Sequence, residues 1–195
     1  MTPPTKAALR TELLLARRAL PQSVRDAEAD ALRRWLPGLT GAGMTVAAYV
    51  PVGAEPGCLA MLDDATKAGV RVLLPVSHTG ADGTGLPLQW GGYVPGTLVP
   101  AAFGLLEPPP PFLPTETLAE AEVILVPALA VDRTGVRLGR GAGFYDRTLA
   151  AAAPGALLVA VVRDDELVDE LPGEPHDVRM THALTPARGL VRLDD

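Results

Sequence analysis

One cysteine, Cys58, is all that this 195-residue chain contains, which excludes an internal disulfide framework and a cysteine-rich zinc site. A lone cysteine fits a reducing compartment and serves as a small buried hydrophobe. Long apolar runs are missing as well. The longest, residues 156–162, falls far short of the roughly 20 apolar residues that span a bilayer, and the N-terminus is basic and helical without an apolar signal core. A cytoplasmic protein is expected. There is no lysine-arginine tract, and a net charge of −6 argues against general nucleic-acid binding while leaving room for one local basic site. HExxH, serine-elbow and EF-hand strings are absent, as are internal repeats and any sign of an obligate protein partner.

What the chain does have is concentrated between residues 137 and 146, Arg-Leu-Gly-Arg-Gly-Ala-Gly-Phe-Tyr-Asp. Gly139, Gly141 and Gly143 remove every second Cβ, so the backbone can enter conformations closed to other residues and present N–H groups to a ligand. From Asp132 to Arg147 four arginines stand against two aspartates, a local net of +2. A phosphate suits such a loop. The run that follows predicts a helix over residues 143–153, whose N-terminus would favour an anion. An ordinary surface turn between a strand and a helix has the same composition, and spacing alone leaves both readings open. Neither standard nucleotide signature is met. The Walker spacing does not occur, a Rossmann fingerprint needs glycine where Phe144 stands, and the preceding apolar run ends well before Gly139.

Around this loop the apolar periodicity changes once along the chain. Residues 5–20 carry apolar positions at helical spacing and stop at Pro21; Lys6 and Arg10, four apart, share one face, either as ligand contacts or as a solvated basic stripe. Ser23 with Asp26 resembles a capping box that opens a second helix running to about Trp35. After the Pro37-Gly38 break come short runs rich in valine and leucine at residues 44–50, 70–76, 122–130 and 157–162, without polar alternation, as expected of strands buried on both faces. Residues 58–68 read as a crossover helix, residues 80–104 as a Gly-rich excursion with one strand near 86–90, and residues 108–111 as a stiff connector. The fold expected is a single three-layer α/β domain with a mostly parallel sheet flanked by helices.

Residues 164–177 hold seven acidic side chains and neither lysine nor arginine, a composition read chiefly as solvated acidic surface. Within it His176-Asp177 follows a turn-forming Gly-Glu-Pro, and the Asp177 carboxylate could reach a bound cation.

Taken in order, these elements are similar to those of the 5-formyltetrahydrofolate cyclo-ligase family, also called methenyltetrahydrofolate synthetase. The pattern Lys-x-x-x-Arg falls on Lys6 and Arg10, Tyr-x-Pro-x-x-x-Glu on Tyr49, Pro51 and Glu55, and Gly-x-x-Glu-Pro on Gly104, Glu107 and Pro108. The most specific string, Val-Pro-x-Leu-Ala-x-Asp-x-x-Gly-x-Arg-Leu-Gly-x-Gly-x-Gly-Phe/Tyr-Tyr-Asp, runs from Val126 to Asp146, and His176-Asp177 precedes a last strand ending in Thr185-Pro186. Two positions depart from the family. The aromatic near Gly-x-x-Glu-Pro is tryptophan in some relatives, and Ala142 stands where Gly or Lys is frequent.

The resemblance implies a Rossmann-like α/β fold and an ATP- and Mg2+-dependent conversion of 5-formyltetrahydrofolate to 5,10-methenyltetrahydrofolate, through phosphorylation of the formyl oxygen. It further implies that Lys6, Arg10 and the loop Arg137, Leu138, Gly139, Arg140, Gly141, Ala142, Gly143, Phe144 and Tyr145 bind ATP, and that Asp146 and Asp177 place Mg2+. Arg140 and Asp146 are the expected catalytic residues. Val50, Glu55, Phe103, Arg140 and Phe144 are the expected substrate contacts, with Glu55 accepting from the pterin; Phe103 also fits an ordinary core aromatic. A silent folate- or nucleotide-binding protein on the same scaffold, or a phosphoryl transferase for another substrate, are the competing readings.

Overall fold

The computed structural model describes residues 5–174 and 177–194. Helix α1 spans Lys6–Ala19, and the Thr5 hydroxyl accepts from the Ala8 N–H at 3.2 Å. Helix α2, Gln22–Trp35, begins at Pro21, whose extended backbone leads directly into the first turn; no side chain caps it, so the Ser23–Asp26 capping box expected from sequence is not formed. A single 3₁₀ turn at Leu36–Gly38 ends it.

The remaining elements in chain order are β1 (Thr45–Ala47), α3 (Leu59–Lys67), β2 (Arg71–Val76), β3 (Gln89–Gly92), β4 (Val99–Pro100), β5 (Leu106–Glu107), β6 (Val123–Pro127), β7 (Ala130–Asp132), β8 (Arg137–Leu138), α4 (Phe144–Thr148), β9 (Leu157–Val161), β10 (Leu167–Val168), β11 (His182–Thr185) and β12 (Gly189–Arg192). The main sheet has the order β12-β11-β9-β6-β1-β2-β3. All its pairings are parallel except the two at its edges, β2 with β3 and β11 with β12.

Unalternated apolar runs have the expected consequence, because successive residues bury opposite faces. On one face Val46, Val72, Leu74, Leu125 and Val161 pack with Leu32, Met61 and Leu62 of α2 and α3. On the other, Leu73, Ile124, Val126 and Ala160 meet Trp90, Leu118 and Leu149, so this layer consists largely of α4, short 3₁₀ segments and connecting chain. Residues 143–153 therefore do not form one long helix. Gly143 sits in the left-handed region at φ 73°, α4 lasts five residues, and the chain is extended by Ala152, ahead of Pro154.

Residues 122–130 also divide. Beyond Pro127 the Ala128 carbonyl accepts from Arg17 Nη2 at 2.6 Å and the Leu129 N–H donates to Leu138 at 2.8 Å, which pulls the backbone out of the main ladder. It continues as β7 in a small sheet, β10-β7-β8, onto whose core Leu9, Leu13 and Leu14 of α1 pack. The excursion strand lies at Gln89–Gly92 rather than 86–90, because these are the residues that pair antiparallel with Leu73–Val76 of β2; buried Trp90 also bridges to Leu113 through both main-chain groups. Strands β10 and β12, with no counterpart in the sequence reading, complete the sheets.

Chain order reverses between β1 and β6: from β1 the sheet grows to β2 on one side, and from β6 to β9 and β11 on the other. A crevice at the carboxyl ends of strands around such a switch point is where open α/β sheets bind ligands.

Candidate active site

A cavity of about 660 Å³ occupies that position. Tyr49 and Val50 reach it from the end of β1, Pro75 and Ser77 from β2, and Pro127 and Ala128 from β6, so the sheet supplies its floor. Glu55 lines one wall. The opposite wall is the Arg-Gly loop, with Arg137, every residue from Gly139 to Asp146, and Arg147.

In the loop each of the three glycines lies beneath a guanidinium. A Cβ on Gly139 would stand 3.1 Å from Arg137 Nη1, and one on Gly141 3.5 Å from Arg10 Cζ; one on Gly143 would overlap Arg147 Nη1. The alternation of glycine thus lets three arginines close onto the backbone, and φ values of 99° and 73° at Gly141 and Gly143 require glycine independently. Arg10 Nε donates to the Gly139 carbonyl at 2.9 Å, which docks α1 on the loop. Arg137, only 7% exposed, pairs with Asp146 and lies over the Tyr145 ring at 5.7 Å.

Across the cavity Arg140 Nε meets Glu55 Oε1 at 3.2 Å, while Glu55 Oε2 accepts from the Val52 N–H at 2.9 Å. Deeper in, Arg17 donates through Nε and Nη2 to both oxygens of Glu166, at 2.6 and 2.7 Å. Glu166 is thus a buried structural carboxylate and not part of a solvated acidic surface. Two buried polar atoms bordering the cavity, Arg137 Nε and the Tyr145 hydroxyl, make no hydrogen bond among the described residues. Burial, with the Glu55 charge adding to it, pushes the Tyr145 phenol well above its ordinary pKa, and Arg137 opposes this in part. Tyr145 therefore remains a donor.

Not every expected residue faces the cavity. Lys6 and Arg10 of α1 are not among the residues lining it, although Arg10 touches the loop at Gly141, and Leu138 turns its side chain into the core of the small sheet. Asp177 is held outside the cavity lining by Lys6 Nζ at 3.3 Å, and its Oδ2 also accepts from the Glu174 N–H at 2.8 Å. Lys6 also meets Glu174 at 3.1 Å. Partial burial works against its ammonium, but these two carboxylates outweigh that and hold its pKa above the usual lysine value. Lys6 and Arg10 are one helical turn apart on α1, so one helix face carries both the Asp177 contact and the loop contact. The Phe103 side chain and His176 lie outside the described residues.

For a divalent ion the donors fit a limited role. No group of three or more His, Cys, Asp or Glu side chains that could hold a metal occurs among the described residues. Asp146 is half exposed on the cavity wall, a hard oxygen donor of the kind Mg2+ takes one or two of when phosphates complete its shell. Arg17, Ser77 and Arg147 also line the cavity, with no motif in the sequence to mark them. Only the charge count from Asp132 to Arg147 touched one of them.

A second cavity, about 530 Å³, is lined by Asp132, Asp169, Glu170, Glu174 and Arg179 among others. The Asp132 carboxylate there is occupied by the Thr134, Val136 and Leu171 N–H groups at 2.9–3.0 Å, which makes it a turn former.

The model of the 5-formyltetrahydrofolate cyclo-ligase family matches residues 3–186. The chain is 66% identical over 193 residues to a 5-formyltetrahydrofolate cyclo-ligase of Mycolicibacterium smegmatis, covering 99% of this chain and all of that one. With the Escherichia coli K12 protein of the same name it shares 32% over 149 residues, 74% of this chain and 79% of that one. Among solved structures, the 5,10-methenyltetrahydrofolate synthetase of Aquifex aeolicus superposes with a TM-score of 0.75 at 25% identity, covering 97% and 93% of the two chains. The synthetase of Mycoplasma pneumoniae shares the fold at a TM-score of 0.68 and 19% identity, over 91% and 96%. With the glycine loop, the switch-point cavity and these likenesses together, the chain belongs to the 5-formyltetrahydrofolate cyclo-ligase family of enzymes.

Proposed function

We propose that the enzyme uses ATP, with Mg2+, to close 5-formyltetrahydrofolate into 5,10-methenyltetrahydrofolate, releasing ADP and phosphate. The observation that carries this reading is the pairing of unlike walls in one cavity: a carboxylate, Glu55, faces an arginine-glycine loop across it. A pterin edge presents adjacent N–H groups that a carboxylate accepts in parallel, whereas a triphosphate needs guanidiniums and main-chain N–H groups.

A formamide carbonyl is a poor electrophile and its oxygen a poor leaving group. The formyl oxygen therefore takes the γ-phosphoryl group and ADP departs. The folate's position-10 nitrogen then attacks the activated carbon and loses its proton, and the phosphate leaves with the former carbonyl oxygen. Transfer of this kind depends on positioning and charge neutralisation.

In this proposal Glu55 orients the pterin, Val50, Phe103 and Phe144 flank the ring systems, and Arg140 neutralises charge on the transferring group. Lys6, Arg10, Arg137 and the main chain of Gly139, Gly141, Ala142 and Gly143 hold the nucleotide's phosphates. Leu138 contributes only main chain, and the Tyr145 hydroxyl donates to a bound substrate. Asp146 and Asp177 would hold Mg2+, which supplies neutralisation of phosphate charge. Asp177 must first exchange its Lys6 contact for the ion. The Arg140–Glu55 pair must likewise part, freeing each side chain for its own ligand. The chain works as one domain in the cytoplasm, with no nucleic-acid, membrane or obligate protein partner.

Purified protein with 5-formyltetrahydrofolate and Mg-ATP should develop the near-ultraviolet absorbance of the methenyl product, one ADP forming per product. Absence of product, or product forming equally well without ATP, contradicts the proposal.

A further inference from the structure

Of the three guanidiniums seated on the loop glycines, two belong to residues of the family pattern, Arg10 on Gly141 and Arg137 on Gly139. The third is Arg147, on Gly143, just beyond that pattern. Its side chain lines the cavity, and its Nη1 reaches the Ala142 carbonyl at only 3.3 Å, a long contact that leaves most of the fork unused.

Charge pairing separates it from Arg137 and Arg140, though not from Arg10, which among the described residues bonds only the Gly139 carbonyl. Arg137 is neutralised by Asp146 and Arg140 by Glu55, whereas Arg147 has no ion-pair partner among the described residues. The facing loop brings Gly85 against Ala142 and the Phe144 ring, and the charge of its acid, Asp82, reaches Arg147 without closing an ion pair. Asp82 instead accepts from the Thr84 N–H and hydroxyl, both at 2.9 Å. A guanidinium without an ion pair, seated over the Ala142-Gly143 backbone and lining the cavity, is placed to take a bound anion.

We propose that Arg147 is a further phosphate-binding residue of this site, contributing to capture of the nucleotide's polyphosphate before Arg137 and Arg140 exchange their carboxylate partners. It rests on the ATP-dependent reading above. Arg147 is a binding residue and takes no part in the bond changes, so its loss should show in nucleotide affinity while turnover at saturating ATP changes little.

The test is a set of titrations of wild type, Arg147→Gln and Arg147→Lys with Mg-ATP, with inorganic tripolyphosphate and with 5-formyltetrahydrofolate, alongside thermal melts. Arg147→Gln should bind Mg-ATP and tripolyphosphate roughly 10-fold more weakly, with folate affinity and melting temperature unchanged, as expected for one charge-assisted contact. Arg147→Lys, which keeps the charge but not the fork, should fall between. If wild type binds Mg-ATP and Arg147→Gln binds it equally well, this inference fails and the function stands. Loss of folate affinity alone would assign Arg147 to the folate's carboxylate tail, and a lowered melting temperature in both variants would make it structural; either overturns the proposal. A wild type that binds neither nucleotide nor tripolyphosphate overturns the inference and the ATP-dependent reading together.

Discussion

Two arginine–glutamate pairs stand at one cavity, the first through Arg17 alone and the second through both Arg140 and Glu55, and they differ in almost everything but residue type. Arg17–Glu166 lies at its floor with side chains 2% and 4% exposed, and both carboxylate oxygens are taken by the guanidinium. Glu166 Oε2 also accepts from the Arg163 N–H, and Arg17 also donates to the Ala128 carbonyl, so nearly every polar atom is committed. Arg140–Glu55 lies at the rim, 50% and 11% exposed, through one contact at 3.2 Å. A dry, fully bonded pair is costly to break from one side and has no capacity left for a ligand. The rim pair, singly bonded and half exposed on its arginine side, costs far less to open. Burial and bond count, rather than charge, separate a pair that holds the fold from one that can trade partners.

Breaking the floor should have the largest effect. Glu166→Gln leaves the Arg17 charge buried without its counter-ion and should cost about 3–5 kcal/mol of stability, read from urea unfolding. Replacing both partners, Arg17→Met with Glu166→Leu, should recover most of that loss. Equal instability in the double variant would show that the bonds to Ala128 and Arg163, and not the charge, carry the interaction.

At the rim the opposite pattern is expected. Arg140→Gln should leave unfolding within about 1 kcal/mol of wild type. Its turnover should nevertheless fall about 100-fold, since donors aimed at developing charge are worth about 2.7–4 kcal/mol. A large stability loss with intact turnover would reverse the assignment of the two pairs.

Asp146→Asn sharpens the comparison from the nucleotide side. Turnover should drop more than folate affinity, because a metal-bridged phosphate gains most as charge redistributes. Equal losses would mark Asp146 as simply the counter-ion that positions Arg137. The smallest effect belongs to Tyr145→Phe. Its hydroxyl is buried without a hydrogen bond, so removing it should leave the free enzyme as stable or slightly more stable, while ligand affinity falls several-fold. Destabilisation measured by thermal melting would show that the hydroxyl is already satisfied.

Much of this was legible in the chain itself. Unalternated runs located β1, β2, β6 and β9 but not the parallel-paired β11 or β10, because burial on both faces leaves a signature only in longer consecutive runs. The arginine-glycine loop declared itself by composition, and Glu55 by its place in the family pattern. Glu166 did not, since its burial depends on Arg17, 149 positions away, and no local feature distinguishes it from its exposed neighbours Asp165 and Glu170. The bend after Pro127 was hidden for the same reason, because a distant guanidinium claims the Ala128 carbonyl. Nor could spacing show that the loop's glycines accommodate guanidiniums as well as free backbone amides, a fact that brought Arg147 into view.

The central claim is that the rim carboxylate reads the folate while the loop reads the nucleotide. Paired titrations of wild type and Glu55→Gln with 5-formyltetrahydrofolate and with Mg-ATP test it directly. The substitution keeps size but turns one acceptor into a donor facing a pterin N–H, a cost of about 1.5–3 kcal/mol for a desolvated, charge-assisted bond. Folate binding should weaken roughly 10- to 150-fold with Mg-ATP affinity nearly unchanged. Normal folate binding in the variant, or equal loss of both ligands, would contradict the division of the cavity into a pterin wall and a phosphate wall.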